Sequence, residues 1–512
     1  MSPIQTRNTG PIELRLGIAG FTYPDLYIPE RLKELLDIFD CEVAAANPEF
    51  FAAWDDYRNH PEKPRTPTEI SALLVAMAGH VSQFLTKLFD IDTEVEALAA
   101  ATADQNPIFR FKIDFVRRRV IPALKKIAPP ADAALLEERI RQLQEKAMQA
   151  AGRELDPELA TAMAAVEIMR AERSPAQDEL LEALMQWCAI HLHDPAYRHW
   201  VSFRFPESLD HFNLVQIQRP ESDLPESLIG PDSRLRRRDG FALTDPRMAT
   251  REILSEIHYC ILCHERDKDT CSKGIKTADG KIAINPLDIP LVGCPLDEKI
   301  SEMHFMRKNG DAIGALALVM ISNPMCPGTG HRICNDCMKA CIYQKQDPVN
   351  IPQIETAVLT DMLNLPWGVE IYGLLTRWNP LNIARPYALP YNGKNVLVVG
   401  MGPAGYTLAH FLVNEGFGVV GVDGLKIEPL DEELTGTPNQ PPRPIRNWSE
   451  IYQPLESRIL EGFGGVSEYG ITVRWDKNFL TLLHLTLSRR DLLRIYGGVR
   501  FGGTLTINDA WD

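Results

Sequence analysis

The sequence predicts a multidomain protein: an α-helical N-terminal region, a mostly α-helical cysteine-bearing region, then an α/β lobe. Three observations predict it. Apolar residues recur at helical spacing through the first 245 residues. Eight of the ten cysteines fall between Cys260 and Cys341. A run of small apolar residues ending in closely spaced glycines, "VLVVGMGPAG", follows at 396–405. The expected divisions are 1–245, 246–385 and 386–512, in keeping with a chain of 512 residues.

Composition narrows the function classes. Hydrophobic residues at 45% and charged residues at 24% are ordinary for a soluble globular protein. A net charge of −15 argues against nucleic acid, whose phosphates attract a surplus of Lys and Arg. The start, "MSPIQTRNTGPIELRLGIAGF", lacks a basic region followed by a long apolar core. No stretch approaches about 18 uninterrupted apolar residues, so no membrane span is expected and the expected location is cytoplasmic. In a reducing compartment, ten cysteines suit metal ligation better than a disulfide framework.

The N-terminal helices are read from their periodicity. "TEISALLVAMAGHVSQFLTKLF" (68–89) is one long apolar helix opened by Pro67, Thr68 and Glu69. Leu136, Ile140, Leu143 and Ala147 make one apolar stripe on a charged helix, and an antiparallel helix pair is expected around 131–173. No catalytic constellation stands out. His191 and His193 suit satisfied histidines better than ligands, and Cys41 and Cys188 suit small buried hydrophobes. This region reads as an interaction module. "GPDSRLRRRDG" (230–240) reads as a polar linker, and "PRMATREILSEIHYC" beyond it as a helix delivering Cys260.

The cysteine block runs Cys260, Cys263, Cys271, Cys294, Cys326, Cys334, Cys337 and Cys341. Cys260-x-x-Cys263-His264 has the spacing of a haem attachment motif, but that reading leaves six neighbouring cysteines without a role. Zinc is a stronger rival, although only Cys260/Cys263 and Cys334/Cys337 form the C-x2-C knuckles that zinc sites favour. Cys294-Pro295 and Cys326-Pro327 resemble the Cys-Pro ending of ferredoxin runs, and eight thiolates divide into two sets of four. Ligand type and spacing favour two [4Fe–4S] clusters. His264 and His331 are placed to tune a cluster by hydrogen bonding or to serve as plain polar loop residues.

The glycine-rich stretch is the most specific in the chain. Val396–Val399 read as a short apolar strand of a buried parallel sheet. Gly400, Gly402 and Gly405 follow in G-x-G-x-x-G spacing, with Pro403 and Ala404 opening a helix to about Glu415. In order, the three glycines permit the tight turn, the approach of a pyrophosphate, and close helix–strand packing. A second strand ends at Asp423, placed to accept from a ribose hydroxyl. Strand, glycines, helix, strand and acid in register point to a Rossmann-like dinucleotide site.

A two-cluster cysteine block followed closely by "VLVVGMGPAG" resembles the FAD-dependent pyridine-nucleotide oxidoreductases, the family of the glutamate synthase small subunit and the N-terminal half of dihydropyrimidine dehydrogenase. The resemblance covers roughly 250–512 and leaves 1–245 outside. It implies an enzyme in which electrons pass between NAD(P)H, FAD and two [4Fe–4S] clusters. Gly400, Gly402, Pro403, Ala404, Gly405 and Asp423 would bind FAD, and Arg474 in "GGVSEYGITVRW" would contact its pyrophosphate. The eight cysteines would be the ligands, Cys341 sharing a cluster with Cys260, Cys263 and Cys271. A second G-x-G-x-x-G for NAD(P)H is missing. The expectation is therefore an incomplete FAD lobe, completed by a continuation or partner polypeptide, with a redox partner protein beyond. The competing class is a zinc-stapled scaffold with a degenerate nucleotide fold.

Overall fold

A computed structural model describes residues 14–215, 217–231, 243, 245–266, 268–331, 334–425, 427, 429–455 and 476–511. Most of the expected linker at 230–240, and Arg474 with its surrounding segment, lie outside the described residues.

Proline and capping chemistry start the N-terminal helices where the sequence places them. Helix α1 (Pro29–Ala46) begins on proline, whose missing N–H costs nothing there, and buries Leu32, Leu35, Leu36, Phe39 and Val43. Helix α2 (Pro48–Asn59) follows, capped by the Asn47 side chain accepting from the Phe50 amide. Helix α3 (Pro67–Phe89) opens with a capping box. The Thr66 amide donates to Glu69 Oε2 at 2.7 Å, and the Glu69 amide donates back to Thr66 Oγ1 at 3.2 Å. By length and composition α3 is apolar enough to cross a membrane, and 56% of its most apolar window is buried inside the protein. Helix α4 (Asp92–Ala103) and the short α5 (Asn106–Arg110) lead into a π-helical segment, Phe111–Val120. Helices α6 (Ala133–Ala151) and α7 (Pro157–Arg170) are the antiparallel pair expected around 131–173, and α8 (Pro175–His191) packs across them. Gly152, at φ 65°, ends α6 in the left-handed conformation that glycine adopts without a Cβ penalty.

Helix α9 (Thr250–Tyr259) delivers Cys260 from its C-terminus. Helices α10 (Ile300–Lys308), α11 (Ala312–Ser322), α12 (Ile351–Leu363) and α13 (Gly368–Leu375) form the central layer. Helix α11 is apolar nearly all round because α3, α10 and α12 enclose it. Trp378 ties the N-terminal helices to this layer: its ring stacks on Phe84 at 5.6 Å and meets Phe39 edge-on at 5.8 Å. A single cluster of buried apolar side chains extends from Leu14 to Leu493, so the three regions read from the sequence share one core.

Three parallel strands follow: β1 (Asn395–Val399), β2 (Gly418–Val422) and β3 (Leu493–Tyr496), in the order β1-β2-β3. Helix α14 (Pro403–Asn414) crosses over from β1 to β2, and α15 (Asn478–Ser488) leads into β3. Val398, Val419 and Leu493 share a buried face; on the other, Val399, Val420 and Tyr496 are exposed and Val422 is covered.

The expected fold class is corrected on two counts. The α/β part is one small sheet with an open face. The buried parallel strands of a Rossmann-like FAD lobe would be covered on both faces. Nor do the described residues form a separate cluster-binding domain. Among the described residues no three His, Cys, Asp or Glu side chains converge closely enough to hold a metal ion, and the cysteine region is continuous with the common core. The chain is a largely helical protein carrying a three-stranded parallel sheet.

Candidate functional site: two groups of cysteines and a glycine turn

Local turns set where each thiol lies. Helix α9 stops at Tyr259, and Leu262 adopts φ 51°, turning its amide back to donate to Cys260 Sγ at 3.4 Å. Cys263 follows in a single 3-10 turn, and the Thr270 amide acts on its sulfur. Cys271 sits in the short helix Thr270–Lys273. The long stretch before Cys294 is an excursion that returns to its start. Gly274 and Gly293, at φ 80° and 83°, meet so closely that a Cβ on Gly293 would lie 2.5 Å from the Gly274 nitrogen. That contact is possible only between glycines, and it brings the Cys294 amide to donate to the Cys271 carbonyl at 2.7 Å. Cys326 opens the helical turn Cys326–Thr329, while Cys334 and Cys337 flank the start of another, Asp336–Lys339. That second turn ends at Lys339, before Cys341.

Electrostatics divide the eight thiols into two groups. Cys260, Cys263, Cys271 and Cys341 act on one another. Cys271 donates its S–H to Cys341. That bond holds the Cys341 thiol down at about 7, helped by the amides of Tyr343 and Val349, while it and burial hold Cys271 well up. Burial pushes Cys260 up to about 12. In the second group Cys337 feels Cys294 and Cys334, and Cys326 shares with it the neighbours Glu298 and Glu355. Burial holds Cys326, Cys334 and Cys337 up and pushes Cys294 to about 11, although the amides of Leu296 and Glu298 point at the Cys294 sulfur. Glu298 and Glu355 are both raised by burial. Glu355, beside Glu298, is raised the further of the two, and Asn323 offsets both. Backbone amides aimed at sulfur stabilise thiolates, and they tune the potential of any metal bound there.

The histidines next to the thiols have other partners. His331, at φ 50°, places Nδ1 3.0 Å from Thr356 Oγ1 and Nε2 3.3 Å from Asp245. His264 is buried, its carbonyl accepting from Thr68 and its ring edge-on to Phe305. Of the two isolated cysteines, Cys188 is buried as expected, but Cys41 is exposed. It falls on the outer face of α1, off the apolar stripe of Leu35, Leu36, Phe39 and Val43. His191 is bound to Glu137 and Asp194 at 2.6 and 3.1 Å.

The glycine turn joins β1 to α14. Gly400 adopts φ 96°, and its amide donates to the Val422 carbonyl at 2.8 Å. A Cβ on Gly405 would lie 1.9 Å from the Gly400 carbonyl oxygen, so only glycine lets α14 start this close to the strand. A Cβ on Gly400 or Gly402 would meet nothing within 4 Å, so the space in front of the turn is open. Pro403 and Ala404 form the first turn of α14. Asp423 stands at the end of β2, where its carboxylate closes the turn. Oδ2 accepts from the Met401 amide at 2.7 Å and Oδ1 from the Leu425 amide at 2.8 Å. Sequence reasoning aimed this carboxylate at a ribose; in the structure one lone pair of each oxygen is taken by a neighbouring loop amide.

Helix α15, which sequence reasoning did not single out, connects the second cysteine group to the turn. A Cβ on Gly328, two residues after Cys326, would lie 2.3 Å from Leu483 Cδ1 on α15. One residue on, His484 Nδ1 lies 2.8 Å from the Tyr406 hydroxyl, in the first turns of α14. The only sign of this in the sequence is the apolar run "NFLTLLHLTL" (478–487).

Comparison with known proteins gives a different result from the resemblance read in the cysteine and glycine motifs. Residues 16–90 match the family described as the RP005 N-terminal alpha-helical domain. The chain is 52% identical over 188 residues to uncharacterized protein RP006 of Rickettsia prowazekii, covering 37% of this chain and 26% of that protein. It is 28% identical over 261 residues to uncharacterized protein RP005 of the same organism, covering 47% of this chain and 81% of that one. The match to RP006 thus spans about a quarter of that protein's length. No pyridine-nucleotide oxidoreductase family is indicated, and the resemblance to one is withdrawn. The labels it carried, oxidoreductase, flavoprotein and iron–sulfur protein among them, are withdrawn with it. Neither relative bears such a description, and the described residues hold no ready group of metal-ion ligands. Short cysteine and glycine spacings recur across unrelated chains, so they indicate local chemistry before they indicate ancestry.

Proposed function

We propose that the chain is an electron-relay module that works by thiol–disulfide exchange at Cys271 and Cys341. The observation that carries the proposal is the pairing of these two thiols from distant parts of the sequence: Cys271 is hydrogen-bonded to Cys341, and that bond holds the Cys341 thiol down at about 7. Amides of Tyr343 and Val349 are directed at the Cys341 sulfur as well. A thiol that ionises near neutral pH beside a second thiol is the arrangement that exchange with a disulfide needs.

In this reading, the Cys341 thiolate attacks a disulfide of a redox partner protein and releases one partner thiol; Cys271 then displaces the second, so that a Cys271–Cys341 disulfide forms as the partner's is reduced. Cys260 and Cys263 act on the same pair of sulfurs.

Treatment of the full chain with an oxidised dithiol, followed by denaturing alkylation and peptide mass spectrometry, tests this. The expected result is a Cys271–Cys341 disulfide that dithiothreitol reverses. Cys341→Ser and Cys271→Ser should each abolish it, and Cys41→Ser should leave it unchanged. Alkylated, unbridged thiols at both positions after oxidation would end the reading.

A further inference from the structure

A cavity of about 240 Å³ lies between the π-helical segment and α9, walled on one side by Phe205 and Tyr259. We propose that it binds a small organic anion bearing a carboxylate, with Lys112 inside and Arg117 at the mouth as its cationic partners. The proposal does not depend on the cysteine groups.

Open hydrogen-bond donors on the cations, and not the net charge of the lining, support an anion. Three cations and three carboxylates line the space, but they are not equally engaged. Arg204 is paired with Glu252 at 2.7 Å. Glu256 accepts from the Asn350 amide at 2.8 Å, and Asp347 accepts from the Glu207 amide at 3.2 Å. Lys112 and Arg117 close no ion pair among the described residues, and neither do Glu256 and Asp347, whose oxygens are held by backbone amides. Lys112 donates to Ser255 Oγ at 2.9 Å and lies 5.5 Å from the centre of the Phe205 ring. An ammonium has three donors, so further directions are open to a ligand.

The cost of holding this cation is visible in its titration. Burial brings Lys112 down to about 8, although Glu256 and Glu158 act on it from beyond ion-pair distance. A bound carboxylate would supply the missing counter-charge in a place shielded from water. The walls set the class of anion. Phe205 offers an apolar face, and Tyr259 stacks on Tyr343 at 4.2 Å with its hydroxyl bound to Gln346. These surfaces suit a carbon skeleton better than a bare inorganic ion. The volume admits an acid of about four to six carbons.

Isothermal titration of the full chain at neutral pH with glutarate, and separately with inorganic phosphate, tests the inference. One saturable glutarate site per chain is expected, weakened by salt. Lys112→Met should weaken it at least about tenfold and Arg117→Ala about threefold. Arg117 is exposed, so its variant keeps the test valid if Lys112→Met fails to fold. Glutarate should also slow acylation of Lys112, read by peptide mass spectrometry, because pairing raises the amine's proton affinity. Absence of saturable glutarate binding would overturn the proposal, as would binding indifferent to both substitutions or phosphate bound as tightly as glutarate.

Discussion

Replacing Glu370 with alanine removes the acidic half of a buried ion pair that ties the two ends of the chain together. Glu370 and Arg489 are 1% and 4% exposed at their side chains and meet at 2.9 Å. The same carboxylate accepts from Tyr23 Oη at 2.6 Å and from the Ile445 amide at 2.7 Å. Arg489 also donates to the carbonyls of Leu434 and Arg443, so it cannot swing to solvent. Removing one partner of such a pair costs about 3–5 kcal/mol, because a charge is left buried without a counter-charge. The Tyr23 and Ile445 donors would each add about 1–3 kcal/mol if water could not reach them. The terms overlap, so about 4 kcal/mol is the expected loss. Urea unfolding followed by tryptophan fluorescence measures it, with the slope fitted for each variant. Glu370→Met combined with Arg489→Met should recover part of the loss, since neither charge then remains. A loss below about 1 kcal/mol for Glu370→Ala, or a double variant worse than the two single losses combined, would refute the reasoning.

Two further predictions follow from individual residues. His410 is buried on α14, and burial, reinforced by Arg490, takes it from an ordinary 6.5 down to about 3. Above 6.5 it is neutral both folded and unfolded and contributes nothing. Below that value the unfolded chain binds the proton first, so stability falls by about 1.4 kcal/mol per pH unit until the folded value is reached. Urea midpoints at pH 7.5 and about 5.5 should therefore differ more for the native chain than for His410→Leu; equal differences would refute the assignment. Gly405→Ala places a Cβ 1.9 Å from the Gly400 oxygen, and Gly402→Ala places one in open space. The first should lower stability by about 1–3 kcal/mol and the second leave the urea midpoint unchanged, affecting only what binds in front of the turn.

The helices were legible because their signals are local. Pro67 with the Thr66/Glu69 box starts α3, and Asp132 and Gly152 bracket α6 at the positions their side-chain chemistry favours. The strand–glycine–helix–strand order from Asn395 to Val422 was legible for the same reason. Less local features were misread. The apolar strand β1 looks the same in sequence whether one or both faces are covered, and only the packing of α14 and α15 on one side decides that. Asp423 was aimed at a ribose because nothing in sequence registers that Met401 and Leu425 amides lie nearer.

The sequence by itself determined which residues bring chemistry to this protein: eight clustered thiols, three glycines in fixed spacing, and helices delimited by their caps. Those are properties of residue type and short-range geometry, fixed before any long-range contact forms. Tertiary structure alone decided which thiols are neighbours, bringing Cys341 to Cys271, and it returned the backbone at Cys294 to Cys271 through the Gly274–Gly293 contact. It likewise decided that Lys112 and Arg117 face one cavity, and that Tyr23, Glu370 and Arg489 share one buried network. The physical reason is the same in each case. Proximity between residues far apart in sequence comes from how apolar faces close on one another, and no short window of sequence holds both sides of such a contact.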